Sequence, residues 1–333
     1  MSSTPVHGTI DPHDLIAAPL RWHWSEILFW LATLIPCFLA PAQLALASQI
    51  AITALFALSL DLILGFAGIV SLGHAALFGV GAYAAALLVK RWGWEEPVSG
   101  LILSGCAAAL VGYLSSLLIV RVSRLARLTV TLAVGVLLAE AANRASWLTG
   151  GSDGLREIHV SPLLGRFGFD LSGRTAYLYS LAVLFLMFLT IRRVVQSPFG
   201  LSLRGFSENA QRMTALGAPS RHRLTTAYTI AAFIAGVAGA LYAQTSQSLA
   251  LEALGFRRSI EVLIMLALGG TGRLYGAIAG ALIVLAVRDR LADMDPQYWF
   301  FWLGALLVAV VLFLPNGLIG SLRAFWTWRG GAR

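Results

Sequence analysis

Apolar residues in this chain come in long blocks broken by short polar turns, with little of the alternation a strand would need. Blocks of about 17–25 residues are long enough to cross a hydrocarbon core of about 30 Å. They predict helices near 27–42, 48–66, 70–89, 98–120, 126–147, 176–194, 224–243, 258–271, 274–289 and 298–318. A backbone in lipid has no water to satisfy its N–H and C=O groups, so continuous apolar blocks read as α-helices. An outer-membrane barrel, whose strands alternate over about 10 residues, is excluded. The fold class is therefore an all-α polytopic membrane protein of about ten transmembrane or half-spanning helices. Runs 258–271 and 274–289, joined through GGTGRLYG, are short for full crossings. They read either as one broken helix or as a re-entrant pair, and both readings leave their outer ends on one face. The chain divides into a tail at 1–26, a membrane domain at 27–318 and a second tail at 319–333.

One long stretch interrupts the apolar pattern: SPFGLSLRGFSENAQRMTALGAPSRHR, residues 197–223. Ser197 before Pro198 predicts a helix start, with a capping hydroxyl and proline at the first helical position. Gly217 before Pro219 predicts the stop. Between them Leu203, Phe206, Ala210, Met213 and Leu216 are spaced to share one helical face. Arg204, Ser207, Glu208, Gln211 and Arg212 fall opposite, and Ser207 is expected to cap a second, shorter helix. Such a helix either lies on the membrane with its arginines at anionic lipid or is presented to a soluble partner. Glu208 and Asn209 among the arginines favour a protein groove.

Composition agrees with the pattern. Hydrophobic residues make up 58% of the 333 and charged residues 12%, about half the usual share of a soluble domain. The net charge of +8 is explained by the placement of arginines on one side of a membrane, without a nucleic-acid partner. Residues 192–223 hold Arg192, Arg193, Arg204, Arg212, Arg221 and Arg223 against Glu208 alone. Arg121, Arg124 and Arg127 mark another basic turn, and Arg323, Arg329 and Arg333 the C-terminal tail. Loops 90–97 and 148–175 balance their charges. The count puts both termini and the 192–223 loop in the cytoplasm, with Arg257 and Arg258 as exceptions on the outer side. Trp22, Trp24, Trp92, Trp94, Trp147, Trp299, Trp326 and Trp328 lie near span ends, as an aromatic belt would. The N-terminus does not resemble a cleaved signal peptide and is expected to remain as a tail. Cys37 and Cys106 fall inside apolar runs and are expected to be buried small hydrophobes.

Catalytic motifs are missing. The single lysine, Lys90, follows YAAALLV, so the chain has no GxxxxGK[ST] phosphate loop. It has no HExxH, no GxSxG and no Cys/His cluster with ligand spacing, so no cofactor or metal is expected. Ionisable groups inside spans are functional suspects because lipid disfavours them. Here they are Asp61, His74, Glu140 and Glu261. Glu140 is expected to pair with Arg144 at i,i+4, and Glu261 with Arg257 or Arg258. Asp61 and His74 share a segment with Gly65, Gly68, Gly73, Gly79 and Gly81. Glycines there serve either close helix packing or a broken helix lining a cavity. GAIAG at 276–280 and GVAG at 236–239 are candidate helix contacts, within the chain or with a partner subunit.

Several segments together resemble the permease subunit of branched-chain amino acid ABC importers, the LivM type. They are LDLILGFAGIVSLGHAALFGVGAY (60–83), LTGGSDGL (148–155), SPFGLSLRGFSENAQRMTALG (197–217), AAFIAGVAGALYA (231–243) and SIEVLIMLALGGTGRLYGAIAGA (259–281). The resemblance implies a type II-like importer fold in a bacterial inner membrane, working by alternating access. It implies two cytoplasmic ATPase subunits, a sister permease and a periplasmic solute-binding protein as partners. It makes 197–217 the ATPase-coupling segment, with Arg204, Glu208, Asn209, Arg212 and Gly217 as its contacts. Asp61, Gly68, Ser71 and His74 become candidates for the translocation path. The chain departs from the pattern at Asp61, where asparagine is usual, and at Ile69, where glutamine is. Ser207 and Ala210 replace charges. The rival readings are a stand-alone proton-coupled secondary transporter, with the intramembrane acids as its relay, and, more distantly, a membrane-embedded enzyme.

Overall fold

The structure, a computed structural model, describes residues 24–39, 43–163, 165–169, 173–295 and seven positions between 297 and 308. The ends of the chain lie outside the described residues, and with them most of the 298–318 run, Trp22, Trp299, Trp326, Trp328 and the tail arginines.

The helices, in chain order, are α1 Trp24–Ala32, α2 Leu44–Asp61, α3 His74–Trp92, α4 Pro97–Ile119, α5 Arg124–Arg144, α6 Arg174–Gln196, α7 Pro198–Ala215, α8 Ser220–Ser246, α9 Phe256–Gly269 and α10 Leu274–Met294. Short helical turns, Ile35–Leu39 among them, fill some of the connections. Helix α2 runs straight on into a π-helix, Leu62–Phe66. Six helices are long and apolar enough to cross a membrane: α2 with its π-extension, α3, α4, α5, α6 and α8. Helices α9 and α10 pass that test only as a pair, which is bent by 115°. The all-α polytopic architecture expected from the apolar blocks is what the chain adopts.

The centre of the bundle is α2, α3 and α8, whose residues are mostly buried, while α4 and α5 turn apolar side chains outward. Ile102, Leu103, Leu110, Leu114, Leu118, Val136 and Leu137 are exposed, as befits helices with a lipid face. In lipid the hydrophobic effect does not drive helices together, so close packing of small residues must. The GVAG motif does this inside the chain. A Cβ at Gly239 would collide with the Phe78 carbonyl, and one at Gly236 with Ala108. Helix α8 thereby lies pressed between α3 and α4. The GAIAG motif likewise faces its own neighbour: Gly276 abuts Gly269 and Gly280 abuts the Met265 carbonyl. These contacts hold α10 against α9 across the 115° bend, as either a broken span or a re-entrant pair requires.

Two-residue strands, β1 Leu155–Arg156 and β2 Ser248–Leu249, pair antiparallel and tie the 148–155 loop to the end of α8. Trp24, Trp92, Trp94 and Trp147 are exposed near helix ends. Cys37 is buried as expected, whereas Cys106 is exposed; it sits on the outward face of α4, where an apolar run gives no indication of which side meets lipid.

Candidate functional site

The polar segment forms a helix with the expected ends. Ser197 caps it, its Oγ accepting from the Gly200 N–H at 3.4 Å, with Pro198 at the first position. Gly217 closes it with φ +81°, a conformation that costs a non-glycine residue about 1–2 kcal/mol. The interior differs from the expectation of one continuous stripe. Asn209 is non-helical, at φ −150° and ψ 94°, and breaks α7 in two. Its side-chain Oδ1 accepts from the Arg212 N–H at 2.9 Å. The cap of the second half is therefore Asn209 and not Ser207, because asparagine satisfies the new orphan amide as well as serine would.

The break changes which residues share a face. Leu203 and Phe206 are 0% and 2% exposed, but Leu216 is 75% exposed and Ala210 is also on the surface. The first half of α7 is thus docked on the bundle, and the second half carries Glu208, Asn209, Gln211 and Arg212 outward with Gly217 beyond them. Arg204 belongs to both environments: its backbone is in the docked half, and its guanidinium sits 5.1 Å from the Phe66 ring centroid.

The docked half rests on the point where α2 gives way. After the π-helix, Gly68 takes φ +67° and lies against Ser207, which a Cβ there would meet at 2.9–3.2 Å. The chain then rises through 69–73 to start α3. Its free amides are met from other helices: Leu72 N–H by Thr131 Oγ1 at 3.2 Å and Ala75 N–H by Ser259 Oγ at 2.9 Å. The orphan donors of a helix start are satisfied here by side chains 59 and 184 residues away.

Asp61, Ser71 and His74 are all fully buried in this junction. Asp61 Oδ1 accepts from the Gly272 N–H at 2.7 Å, fastening the π-helix to the turn between α9 and α10. Gly65 is needed for that approach, since a Cβ would strike both Asp61 Oδ1 and the Gly272 nitrogen. His74 stacks parallel on Phe56 at 5.4 Å. Its Nε2 lies 2.9 Å from Ser59 Oγ, whose own proton goes to the Phe56 carbonyl at 2.6 Å. The imidazole Nε2 is therefore the donor, and the histidine is held by a hydroxyl rather than a carbonyl. Gly68, by contrast, belongs with the α7 contact.

The three intramembrane acids each bind a different partner. Glu140 pairs with Arg144 at 2.7 Å and Glu261 with Arg257 at 3.4 Å, both at i,i+4 as expected. Asp61 binds backbone. A single relay does not assemble from them. One buried pair has no local signal: Arg192 and Glu26, 2.8 Å apart and 166 residues distant, pin α1 to the end of α6. Arg192 opens the basic 192–223 stretch, yet the fold turns it inward.

A family model described as the permease component of the branched-chain amino acid transport system matches residues 43–311. The chain is 28% identical over 330 residues to the high-affinity branched-chain amino acid transport system permease protein LivM of Escherichia coli K12, covering 92% of this chain and 76% of that one. It is 22% identical over 285 residues to LivH of the same strain and 25% identical over 284 residues to BraD of Pseudomonas aeruginosa. Each of these two alignments covers 80% of this chain and 91% of the relative. No solved structure matches significantly. Matched over most of its length, with the motif segments at 60–83, 197–217 and 259–281 meeting at one junction, the chain belongs to the permease components of branched-chain amino acid transport systems.

Proposed function

We propose that this chain is the membrane-spanning half of an ATP-driven importer for branched-chain amino acids or a related small polar solute. The observation that carries this reading is the divided helix α7, docked through Leu203 and Phe206 and exposed from Glu208 to Gly217 apart from Met213, which packs back on the bundle. A chain without a phosphate-binding loop does not hydrolyse ATP by that route itself, and a capped, exposed half-helix next to a break in α2 is a suitable point for partner ATPases to deliver energy. The partners are two cytoplasmic ATPases at 208–217, a sister permease and a periplasmic solute-binding protein. Similarity to both LivM and LivH supports a pair of different permeases from one family. The chain itself performs no covalent chemistry in this reading.

Force applied to α7 passes through Ser207 to Gly68 and through Arg204 to Phe66. From there it reaches Asp61, Gly272 and the α9–α10 pair. That route lets a cytoplasmic stroke alter a type II-like bundle between outward and inward states. Asp61, Gly68, Ser71 and His74 then act at the hinge of the path. The inner membrane is the assigned location, with both termini cytoplasmic. Glu26 at Arg192 supports this by bringing the start of α1 to the end of α6, next to α7.

Co-purification from detergent with candidate ABC ATPases tests the reading. Glu208→Arg with Arg212→Glu should weaken their recovery while the permease stays monodisperse. If no ATPase associates with the wild type, and uptake collapses with an uncoupler but survives ATP depletion, the secondary-transporter reading replaces it.

A further inference from the structure

Arg258 falls on the outer side by the charge count, apart from the other basic clusters. Its neighbour Arg257 is exposed and paired with Glu261. Arg258 turns the other way, and its guanidinium lies 4.4 Å from the Phe78 ring centroid and 4.6 Å from that of Tyr242. No salt bridge joins it to a carboxylate among the described residues. An arginine packed against two aromatic rings near the start of α9, largely away from water, is costly and marks a place where something else supplies the charge.

A cavity of about 130 Å³ opens beside it. Its polar wall is made by Gln49 and Thr53 from α2, Tyr242 from α8, Arg258 and Glu261 from α9 and Arg288 from α10. A second cavity of about 360 Å³ lies toward the β1–β2 end of the bundle. The two cavities share Gln49 and Tyr242 as lining residues. The first has room for several water-sized groups, ample for a carboxylate.

We propose that the cavity beside Arg258 is a subsite for the carboxylate of the carried solute, with Glu261 facing its ammonium group. This rests on the importer reading and narrows it to solutes that bear a carboxylate. Arginine suits the task because its planar fork meets a carboxylate with two parallel hydrogen bonds while its faces remain stacked on the aromatic rings. The guanidinium is held in place before the solute arrives, so little side-chain freedom is lost on binding. A zwitterion matches the cavity better than a simple anion, because both signs of charge line it.

The test uses the whole importer, with its binding protein and ATPases, in vesicles loaded with ATP. Uptake is measured with each common radiolabelled amino acid, L-leucine first. Arg258→Gln should lower turnover about 10- to 100-fold, the loss of a charged hydrogen bond, while KM, set by the binding protein, stays unchanged. Arg258→Lys should recover part of it, and subunit co-elution should match wild type. Turnover equal to wild type in Arg258→Gln overturns the subsite. Should both arginine variants fail to assemble, Gln49→Leu with Thr53→Val removes polar wall without touching Arg258, and unchanged turnover there overturns it equally. A defect seen in vesicles containing phosphatidylglycerol but not in phosphatidylcholine alone assigns the guanidinium to a lipid headgroup instead and also overturns it. Wild-type complex that imports no amino acid defeats the importer reading, and the subsite with it.

Discussion

The backbone N–H of Gly272 donates to Asp61 Oδ1 at 2.7 Å, joining points 211 residues apart in the chain. The bond connects the break in α2 to the turn of the α9–α10 pair, two irregular segments that would otherwise rest on each other through backbone alone. Irregular backbone at membrane depth persists only where protein groups satisfy it. Asp61→Ala leaves the partly buried Gly272 N–H without that acceptor and should destabilise the chain by about 1–3 kcal/mol. Asp61→Asn keeps an oxygen in the same place and should melt near wild type. Thermal unfolding of both variants in detergent checks this, and an unchanged melting point for Asp61→Ala would remove the bond from any structural role.

Gly239→Ala places a methyl group against the Phe78 carbonyl, which as backbone cannot turn aside. Overpacking of this kind costs about 1–3 kcal/mol, and here it would also lever α8 away from α3. Gly168→Ala meets nothing within 4 Å and serves as the comparison. The expected result is a lower yield of monodisperse protein for Gly239→Ala and an unchanged yield for Gly168→Ala. Equal behaviour of the two would mean that α3 and α8 have slack where the contacts show none.

How far the sequence could be read depended on whether a feature was local. Apolar blocks fix helices, and Ser197–Pro198 and Gly217 mark the ends of α7, because caps act within one turn. Glu140 with Arg144 and Glu261 with Arg257 were readable for the same reason, being one helical turn apart. A second helix starting at Ser207 was readable, but its true cap at Asn209 was not, since serine and asparagine two residues apart are equivalent caps until Leu203 and Phe206 are docked and Leu216 is not. Arg258 and Arg192 looked like loop charges, and their buried surroundings come from α3, α8 and α1, far away in sequence. The motifs identified the family and the polar junction, but the Asp61–Gly272 bond and the two cavities are tertiary and had no local signal.

Arg192 and Glu26 form a pair whose side chains are only 10% and 20% exposed. Removing one partner of a buried pair strands the other charge and costs about 3–5 kcal/mol, whereas replacing both with apolar groups is often neutral. Arg192→Met should therefore destabilise the chain strongly, and Arg192→Met with Glu26→Leu should restore most of the loss. Thermal melts of the two single variants and the double variant measure the coupling. Strictly additive losses would show that the two charges act independently.

Asn209 supplies the last prediction, because its two effects can be separated. Its carboxamide oxygen caps the outer half of α7, and Asn209→Ala removes that cap, a change of about 1 kcal/mol. The half-helix it caps is exposed and buries little, so the global melting point should hardly move while amide exchange across 210–216 rises. Asn209→Asp keeps the acceptor and should restore protection, because a carboxylate at a helix N-terminus also complements the dipole. If 208–217 is where the ATPases bind, fraying this segment lowers their affinity by the fraction of time it is unfolded, without altering any contact residue. Asn209→Ala should then weaken ATPase co-purification and Asn209→Asp should rescue it. Greater exchange at 210–216 with undiminished ATPase binding would separate the cap from coupling and move the docking surface off the second half of α7.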